Sequence, residues 1–242
     1  MNTGKYFYLL AAVMLVMAAC KEKDRFEPNS NDKTPPGQVS GVTYKPLYGG
    51  ARLYFAAPAD EDLLSIEAVY TNASGRPFKF AVSYFTDSLD VYGLADTTEA
   101  TIQVFSIDRA GNRSEALDVK VVPLEPAFSR VAQSIIVKPG FSSFIVDWVN
   151  ELEQNINVYV DFGYNQNGEQ KLYTTVFSSN LAEDRRFIND LYLGPVQPVS
   201  VKVRVEDIYG NITPDIDKGS INLYEDSKIS KTNWVLPNPN DT

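Results

Sequence analysis

The residues that could carry chemistry in this sequence are acidic groups, aromatic rings and one cysteine. The chain has 242 residues with 22 basic and 31 acidic side chains, a single Cys and no His. Without His, neither a Ser-His-Asp or Cys-His nucleophile nor a His-ligated metal centre can be assembled. A lone Cys also excludes an internal disulfide and a cysteine-rich metal site. These counts leave carboxylates as the main reactive groups.

Carboxylates are clustered in three places, at Asp60-Glu61-Asp62, at Glu183-Asp184 and at Glu225-Asp226. Two carboxylates hydrolyse a glycosidic bond only when they converge from different elements across a cleft, and adjacent acids on one loop do not. The same groups could bind Ca²⁺, but the sequence contains no Asp-x-Asp-x-Asp-Gly loop. We therefore predict that the protein is not an enzyme and uses no metal or other cofactor.

Aromatic side chains are the next candidates, because a ring face stacks well on the apolar face of a sugar. Phe55 and Trp148 fall on the inward phase of alternating strands and are predicted to be core residues. Tyr209 lies at the tip of a predicted turn, and Tyr164 and Tyr54 are predicted to be exposed. These three tyrosines are the candidate ligand contacts, although exposed Tyr also reflects plain β propensity.

The N-terminus has the features of a secretion signal. Lys5 is followed by an apolar run over residues 6–19, which is shorter than the roughly 20 residues that a membrane-spanning helix needs. A basic start, a short apolar stretch and small residues at its end indicate a signal peptide over residues 1–19.

The single cysteine directly follows that signal. Met17, Ala18 and Ala19 precede Cys20, and this arrangement resembles a bacterial lipobox. The resemblance implies that Cys20 becomes the acylated N-terminus and that its acyl chains hold the protein in a membrane. An ordinary secreted protein with an incidental Cys is the alternative. The charged residues that follow resemble the surface-export signal of Bacteroidetes lipoproteins, which implies an outer-membrane, cell-surface location.

The remaining sequence divides into a tether, two sets of strands and a C-terminal stub. Residues 20–38 are rich in Pro and charge and predict a disordered tether. Strand-like runs separated by Gly, Pro, Asn and Asp then predict two β-sandwiches over 39–122 and 127–224, with no convincing amphipathic helix. Pro123–Pro126 is predicted to be a short, stiff linker that joins them like beads on a string. Residues 225–242 form the stub.

Seven strands are predicted in each set. The first set comprises Val39–Pro46, Ala51–Ala57, Ile66–Thr71, Phe78–Tyr84, Ser88–Leu94, Thr101–Asp108 and Leu117–Val122. The second set comprises Val131–Val137, Ser143–Val149, Asn157–Phe162, Lys171–Phe177, Arg186–Tyr192, Val199–Asp207 and Ser220–Tyr224.

An internal repeat supports this division. An Asp-x-x-Gly-Asn turn occurs at residues 108–112 and again at 207–211, an offset of 99 (207 − 108). In such a turn Asp bonds the backbone two residues on, and we expect Gly and Asn to take positive φ. Phe55 and Trp148 are related by an offset of 93, so the second set carries about six extra residues (99 − 93), which we assign to Gly163–Gly168.

These features resemble fibronectin type III-like domains, and the fold class implied is all-β with two tandem immunoglobulin-like sandwiches. The strand-ending aromatics, the Leu before the sixth strand and the repeated turn carry the resemblance. The order of lipobox, Pro-rich tether and two sandwiches is similar to Bacteroidetes surface lipoproteins associated with glycan-utilisation machinery. That family usually has a further discoidin-like C-terminal domain, which residues 225–242 are too few to form.

The resemblance and the composition together define the expected function. A net charge of −9 argues against a nucleic-acid partner. We predict a non-catalytic outer-membrane lipoprotein that assists glycan capture by binding polysaccharide or glycan-uptake proteins. A structural or adhesive spacer without a small-molecule site is the alternative, and a glycosidase is the least favoured. Ser88 and Thr97, each after an Asp, resemble bacterial O-glycosylation sites.

The anchor prediction is tested by removing the cysteine. We expect the Cys20→Ala chain to leave the membrane fraction of cells, because no acyl chain is attached. The measurement is immunoblotting of soluble and membrane fractions. A Cys20→Ala protein that stays membrane-bound would show that the lipobox interpretation is wrong.

Overall fold

The computed structural model describes residues 32–72, 75–191 and 198–224. Strands make up 61% and helix 4%, and the predicted all-β class with sandwich sheets is confirmed. Within the described ranges, no helix has the length and hydropathy needed to cross a membrane. The lipobox residues and the C-terminal stub lie outside the described residues.

The first sandwich contains seven antiparallel strands in two sheets. One sheet has the order β1-β2-β5 and the other β4-β3-β6-β7. The strands are β1 (Ser40–Leu47), β2 (Gly50–Ala56), β3 (Leu63–Thr71), β4 (Pro77–Ser83), β5 (Ser88–Tyr92), β6 (Ala100–Asp108) and β7 (Leu117–Val121). All seven agree with the predicted strands to within a few residues.

The alternation of side chains along β2 shows why this sequence packs as a sandwich. Leu53 and Phe55 are buried between the sheets, whereas Arg52 and Tyr54 face outward, because successive residues of a strand point to opposite faces. Arg52 donates from Nε and Nη2 to the two carboxylate oxygens of Asp90 at 2.6 and 2.8 Å. This bidentate pair joins the outer faces of β2 and β5.

The second sandwich repeats this arrangement after a short helix. Its sheets have the orders β12-β9-β8 and β11-β10-β13-β14. The elements are α1 (Ala127–Ser134), β8 (Ile136–Gly140), β9 (Ser143–Val149), β10 (Ile156–Gln166), β11 (Glu169–Ser179), β12 (Glu183–Ile188), β13 (Pro198–Asp207) and β14 (Ile216–Asn222). Trp148 is buried in its core, as predicted.

The helix α1 corrects the sequence prediction, which placed a strand at Val131–Val137 and no amphipathic helix in the chain. Phe128, Val131 and Ala132 follow i, i+3, i+4 spacing and are all buried in the second core. Pro126 immediately precedes the helix, where a missing N–H costs nothing. The strand that was expected there begins only at Ile136.

The repeated Asp-x-x-Gly-Asn turn has the same geometry in both sandwiches. Asp108 Oδ1 accepts from Asn112 N at 2.7 Å, and Asp207 Oδ1 accepts from Asn211 N at 2.9 Å. The glycine of each turn has positive φ, 87° at Gly111 and 79° at Gly210. The Asn residues do not have positive φ, contrary to expectation, and each instead donates its side-chain amide to the Asp of its own turn.

The extra residues of the second sandwich lengthen one hairpin. Strands β10 and β11 pair continuously from Ile156 to Gln166, and Asn167 and Gly168 form the turn between them with φ of 55° and 82°. Positive φ at both turn residues is typical of a type I′ turn, for which Asn-Gly is a preferred sequence. The insertion predicted at Gly163–Gly168 therefore lies at the end of this hairpin.

Part of the predicted tether is attached to the first sandwich. Gly37 N donates to Asp60 Oδ2 at 2.8 Å, and Asn112 Nδ2 donates to the Asp32 carbonyl oxygen at 3.0 Å. Pro36 is buried. Residues 32–38 are thus held by hydrogen bonds and burial, which corrects the expectation that the tether is disordered up to Gln38.

Trp148 tests the assignment of the second core. We expect Trp148→Ala to lower the free energy of unfolding by about 3–5 kcal/mol, because a large buried ring is lost and a cavity remains. The measurement is urea denaturation followed by circular dichroism. The neighbouring Val149→Ala, on the exposed side of β9, is the control and should change stability little. Equal losses for the two variants would contradict the assignment.

Candidate functional site

The two sandwiches contact each other through the Asp207–Asn211 turn, so they are not joined like beads on a string. Asn211 Nδ2 donates to the Gly93 carbonyl oxygen at 3.0 Å in a buried hydrogen bond. The ring of Tyr209 lies against Gly93. A Cβ at Gly93 would lie 2.6 Å from the Tyr70 hydroxyl oxygen and 2.8 and 2.9 Å from two Tyr209 ring atoms, so only glycine permits this approach. Its φ of 89° also favours glycine.

Aromatic rings of the first sandwich complete this contact. Phe78 meets Tyr209 edge-on with ring centroids 5.8 Å apart, and Tyr70 stacks on Phe78 at 5.4 Å. Tyr70 donates its hydroxyl to the Tyr92 carbonyl oxygen at 2.7 Å. Burial raises the pKa of Tyr70 and of Tyr209 above the ordinary tyrosine value. Both phenols therefore stay neutral at neutral pH, and Tyr70 uses its hydroxyl as a hydrogen-bond donor.

Asp207 shapes the turn and adds a carboxylate at the junction. Its Oδ1 accepts from Tyr209 N at 2.9 Å, and its Oδ2 accepts from Asn211 Nδ2 at 2.9 Å. Burial raises the pKa of this carboxyl above the ordinary Asp value. The hydrogen bonds orient both residues that reach the first sandwich, so Asp207 positions the contact.

A cleft of about 250 Å³ opens beside this contact, between the two sandwiches. Its aromatic wall is formed by Tyr48, Tyr92 and Tyr209. Gln154 and Asn155 of the β9–β10 loop are exposed, and their side chains make no hydrogen bond within the described residues. The full lining is Tyr48, Gly49, Tyr92, Gly93, Pro126, Gln154, Asn155, Asp207, Ile208 and Tyr209.

The cleft combines aromatic faces with groups that both donate and accept hydrogen bonds. Carboxamides such as Gln154 and Asn155 supply two donors and an acceptor, and a neutral phenol supplies one of each. Arg130 of helix α1 lies over the Tyr48 ring, 5.7 Å from its centroid, and holds that ring from the second sandwich. Such a set suits a neutral, hydroxyl-rich ligand with an apolar face.

The three predicted ligand contacts do not lie together. Only Tyr209 lines the junction cleft. Tyr164 is half-buried at the end of β10, stacks on Tyr173 at 5.8 Å and packs against the second core. Tyr54 is exposed on the outer face of β2. The sequence identified one residue of the cleft, but it did not group that residue with its neighbours.

The other predicted sites are separated from the cleft. Asp60 and Asp62 lie in the β2–β3 loop, where Asp60 binds Gly37. Ser88 begins β5 opposite Tyr54, and Thr97 is exposed in a loop. Nowhere in residues 32–72, 75–191 and 198–224 are three acidic or cysteine side chains placed to hold a metal ion.

Residues missed by sequence reasoning form most of the cleft. Tyr48, Gln154 and Asn155 come from loops of different sandwiches, and their spacing in the sequence contains no motif. The one signal in the sequence is the Gly49-Gly50 pair beside Tyr48, and such a pair indicates a turn but not a binding site. Their grouping depends on the orientation of one sandwich against the other.

Comparisons with known proteins concern the first sandwich and the fold. Residues 36–123 match a family model described as a domain of unknown function (DUF4959). No curated protein matches the chain. Among solved structures, the FN1–FN3 domains of chicken CNTN1 are 14% identical, with 79% of this chain and 67% of that chain covered and a TM-score of 0.36.

Two further solved structures match the chain. A two-domain fibronectin type III segment of chicken tenascin is 15% identical, covering 78% of this chain and 99% of that chain, with a TM-score of 0.33. The chicken interferon gamma receptor alpha chain is 15% identical, with coverages of 76% and 98% and a TM-score of 0.30. All three TM-scores are below 0.5, and nothing further about this chain is concluded from these matches.

The contact at Gly93 is tested by adding a single carbon. The new Cβ of Gly93→Ala overlaps both the Tyr70 hydroxyl of the first sandwich and the Tyr209 ring of the second. We expect the displaced Tyr209 ring to separate the sandwiches and to increase the radius of gyration measured by small-angle X-ray scattering. Gly111→Ala is the matched control, since its φ of 87° imposes the same backbone cost of roughly 1–2 kcal/mol but nothing lies within 4 Å of its Cβ. An unchanged radius in Gly93→Ala would contradict the contact.

Proposed function

We propose that this protein is a non-catalytic surface lipoprotein that assists glycan capture by binding carbohydrate in the junction cleft. The observation that carries the proposal is the convergence of Tyr48, Tyr92 and Tyr209 with the unpaired carboxamides of Gln154 and Asn155. Aromatic faces pack on the apolar face of a pyranose ring, and carboxamides bond its hydroxyl groups. The proposed ligand class is therefore a neutral polysaccharide.

The size of the cleft supports recognition of a short part of a longer chain. Its volume of about 250 Å³ is below the roughly 300–1,000 Å³ of typical sites for drug-sized ligands. The cleft is also open to solvent along the exposed residues Gln154, Asn155 and Ile208. One or two sugar units would occupy it while the rest of the polymer continues outside.

The position of the protein completes the proposed mechanism. An acylated Cys20 would hold the two sandwiches at the outer membrane, with possible partners among glycan-uptake proteins there. Anchoring raises the local concentration of weak sites near the membrane, so modest affinity for one sugar unit is useful when many copies engage one polymer. Within this proposal the protein supplies positioning and performs no bond cleavage.

A structural spacer is the second candidate, and a specific observation favours it. The buried Asn211–Gly93 hydrogen bond and the fit of Tyr209 against Gly93 hold two sandwiches in one orientation. A pair fixed in this way would place whatever follows it at a set distance from the membrane. The spacer needs the contact but not the cleft, so ligand binding separates the two candidates.

The test uses a glycan array and isothermal titration with residues 21–242, which contain every described residue of both cores. We expect binding to a polysaccharide, with affinity reduced at least tenfold in Tyr48→Ala because the stacking face is lost. Tyr54→Ala is the matched control, since the two rings are 40% and 38% exposed. Its affinity should equal that of the unaltered protein.

Two outcomes would contradict the proposal. Binding to no polysaccharide would favour the spacer, and equal affinity losses in Tyr48→Ala and Tyr54→Ala would remove the cleft as the site. Release of shorter sugars from the bound glycan, abolished by neutralising Asp60 and Asp62, would instead show a glycosidase.

A further inference from the structure

Strand β11 is an edge strand with unusually little protection against pairing. It is the outermost strand of the sheet β11-β10-β13-β14, so one side of its backbone faces no other described strand. It is 11 residues long and pairs with β10 from Glu169 to Ser179 without a register shift. The segment from Leu172 to Ser179 has neither charge nor proline. A long, flat, uncharged edge is a template for another strand.

The other edge strands of the described sheets each carry a feature that discourages pairing. Proline, charge, a register shift or a length of only five residues is present in every case, and these are the devices by which proteins protect sheet edges. The features are Pro46 and a register shift in β1, Pro77 and Lys79 in β4, Asp90 in the short β5, Asp118 and Lys120 in the short β7, Pro139 in the short β8, four consecutive charges at 183–186 in β12 and a register shift in β14.

The side chains of β11 are as unprotected as its backbone. Leu172 is 74% exposed, Tyr173 46% and Val176 47%, and they lie on both faces of the strand. Thr174 bonds the inner neighbour, donating its hydroxyl to Asp161 at 2.5 Å, which keeps the strand straight against β10. Backbone and side chains thus present one continuous pairing surface of low charge.

We propose that β11 pairs antiparallel with β11 of a second copy of this chain, so that two four-stranded sheets become one. An isologous pair about a twofold axis requires the strand to be complementary to itself. A register centred on Thr175 meets that requirement. In it, Tyr173 of each copy lies opposite Phe177 of the other copy, and Thr174 of each copy lies opposite Val176 of the other copy. Aromatic and β-branched cross-strand pairs of this kind stabilise antiparallel sheets.

The charge pattern of β11 is compatible with pairing to a second copy of the same strand. In the register centred on Thr175, Lys171 faces Ser179 of the second copy, and no two like charges stand opposite each other. An uncharged edge offers no electrostatic selection for an acidic or basic partner, whereas in this register two copies satisfy each other's backbone groups over residues 171–179 of both strands. The proposal does not depend on carbohydrate binding, since β11 contributes no residue to the lining of the junction cleft.

The first experiment is cysteine cross-linking with residues 21–242, which contain no natural Cys. Directly opposed residues of an antiparallel pair have Cα atoms about 4.5–5.5 Å apart, within the range of about 4.4–6.8 Å that a disulfide spans. We expect Thr175→Cys to form a disulfide-linked dimer under mild oxidation. Ala81→Cys, on the edge strand β4 of the first sandwich, is the control and should stay monomeric. A monomeric Thr175→Cys would overturn the proposal.

Sedimentation equilibrium provides the second measurement, without any cross-link. The unaltered chain is expected to dimerise, and Thr175→Lys to weaken dimerisation at least tenfold, because two lysines would stand opposite each other on the twofold axis. Ala81→Lys should leave the dimer unchanged. An unaltered chain that remains monomeric, or a dimer that Thr175→Lys does not weaken, would overturn the proposal. A Thr175→Cys thiol that cross-links in cells only to a different protein would do so too.

Discussion

The arrangement of the two sandwiches relative to each other depends on a glycine, Gly93. Gly93 allows the Tyr209 ring to reach the backbone of the first sandwich and leaves the Gly93 carbonyl open to Asn211. The hydrogen bond is buried, so its loss would deprive the Gly93 carbonyl and one N–H of the Asn211 amide of their partners, while the amide would still donate to Asp207. Together with Arg130 over the Tyr48 ring, this contact fixes the two sandwiches against each other on either side of the junction cleft.

The same turn is used at both ends of the first sandwich. In the second sandwich, Asn211 donates to the preceding sandwich, and in the first, Asn112 donates to the carbonyl of Asp32 in the preceding segment. Each turn is held by hydrogen bonds to its own aspartate. The side-chain amide of its asparagine also donates to a segment that precedes the turn in the chain. The repeated turn therefore makes a similar attachment in both sandwiches, although the segments that accept the two hydrogen bonds are unrelated in sequence.

We expect function in such a protein to lie in its surfaces, because both sandwich cores are filled with buried hydrophobic side chains. The junction cleft is a surface that two domains make together, and β11 is a surface that one sheet leaves open. The two differ in chemistry, since the cleft offers phenols and carboxamides and the edge offers a bare backbone. One suits a small polar ligand and the other suits a second strand, so the body can serve both without competition.

Much of the fold could be predicted from the sequence because β-structure imposes a period of two on burial. Phe55 and Trp148 were correctly assigned to the cores, and the strands of the first sandwich were found to within a few residues. Prediction was wrong at helix α1, where one apolar stripe over two turns resembles a short buried strand. It was also wrong for residues 32–38, because the groups that hold them are far away in the chain.

The sequence by itself determined the class of the protein, the number of sandwiches and the repeated turn, since these depend on local pattern and turn chemistry. It also selected Tyr209 as a candidate residue for binding. Only the tertiary structure decided that Tyr209 faces Gly93 and that Tyr48, Gln154 and Asn155 stand beside it. The physical reason is that a cleft between domains depends on the orientation of two rigid bodies. A contact between residues more than one hundred positions apart sets that orientation, and no local pattern encodes it.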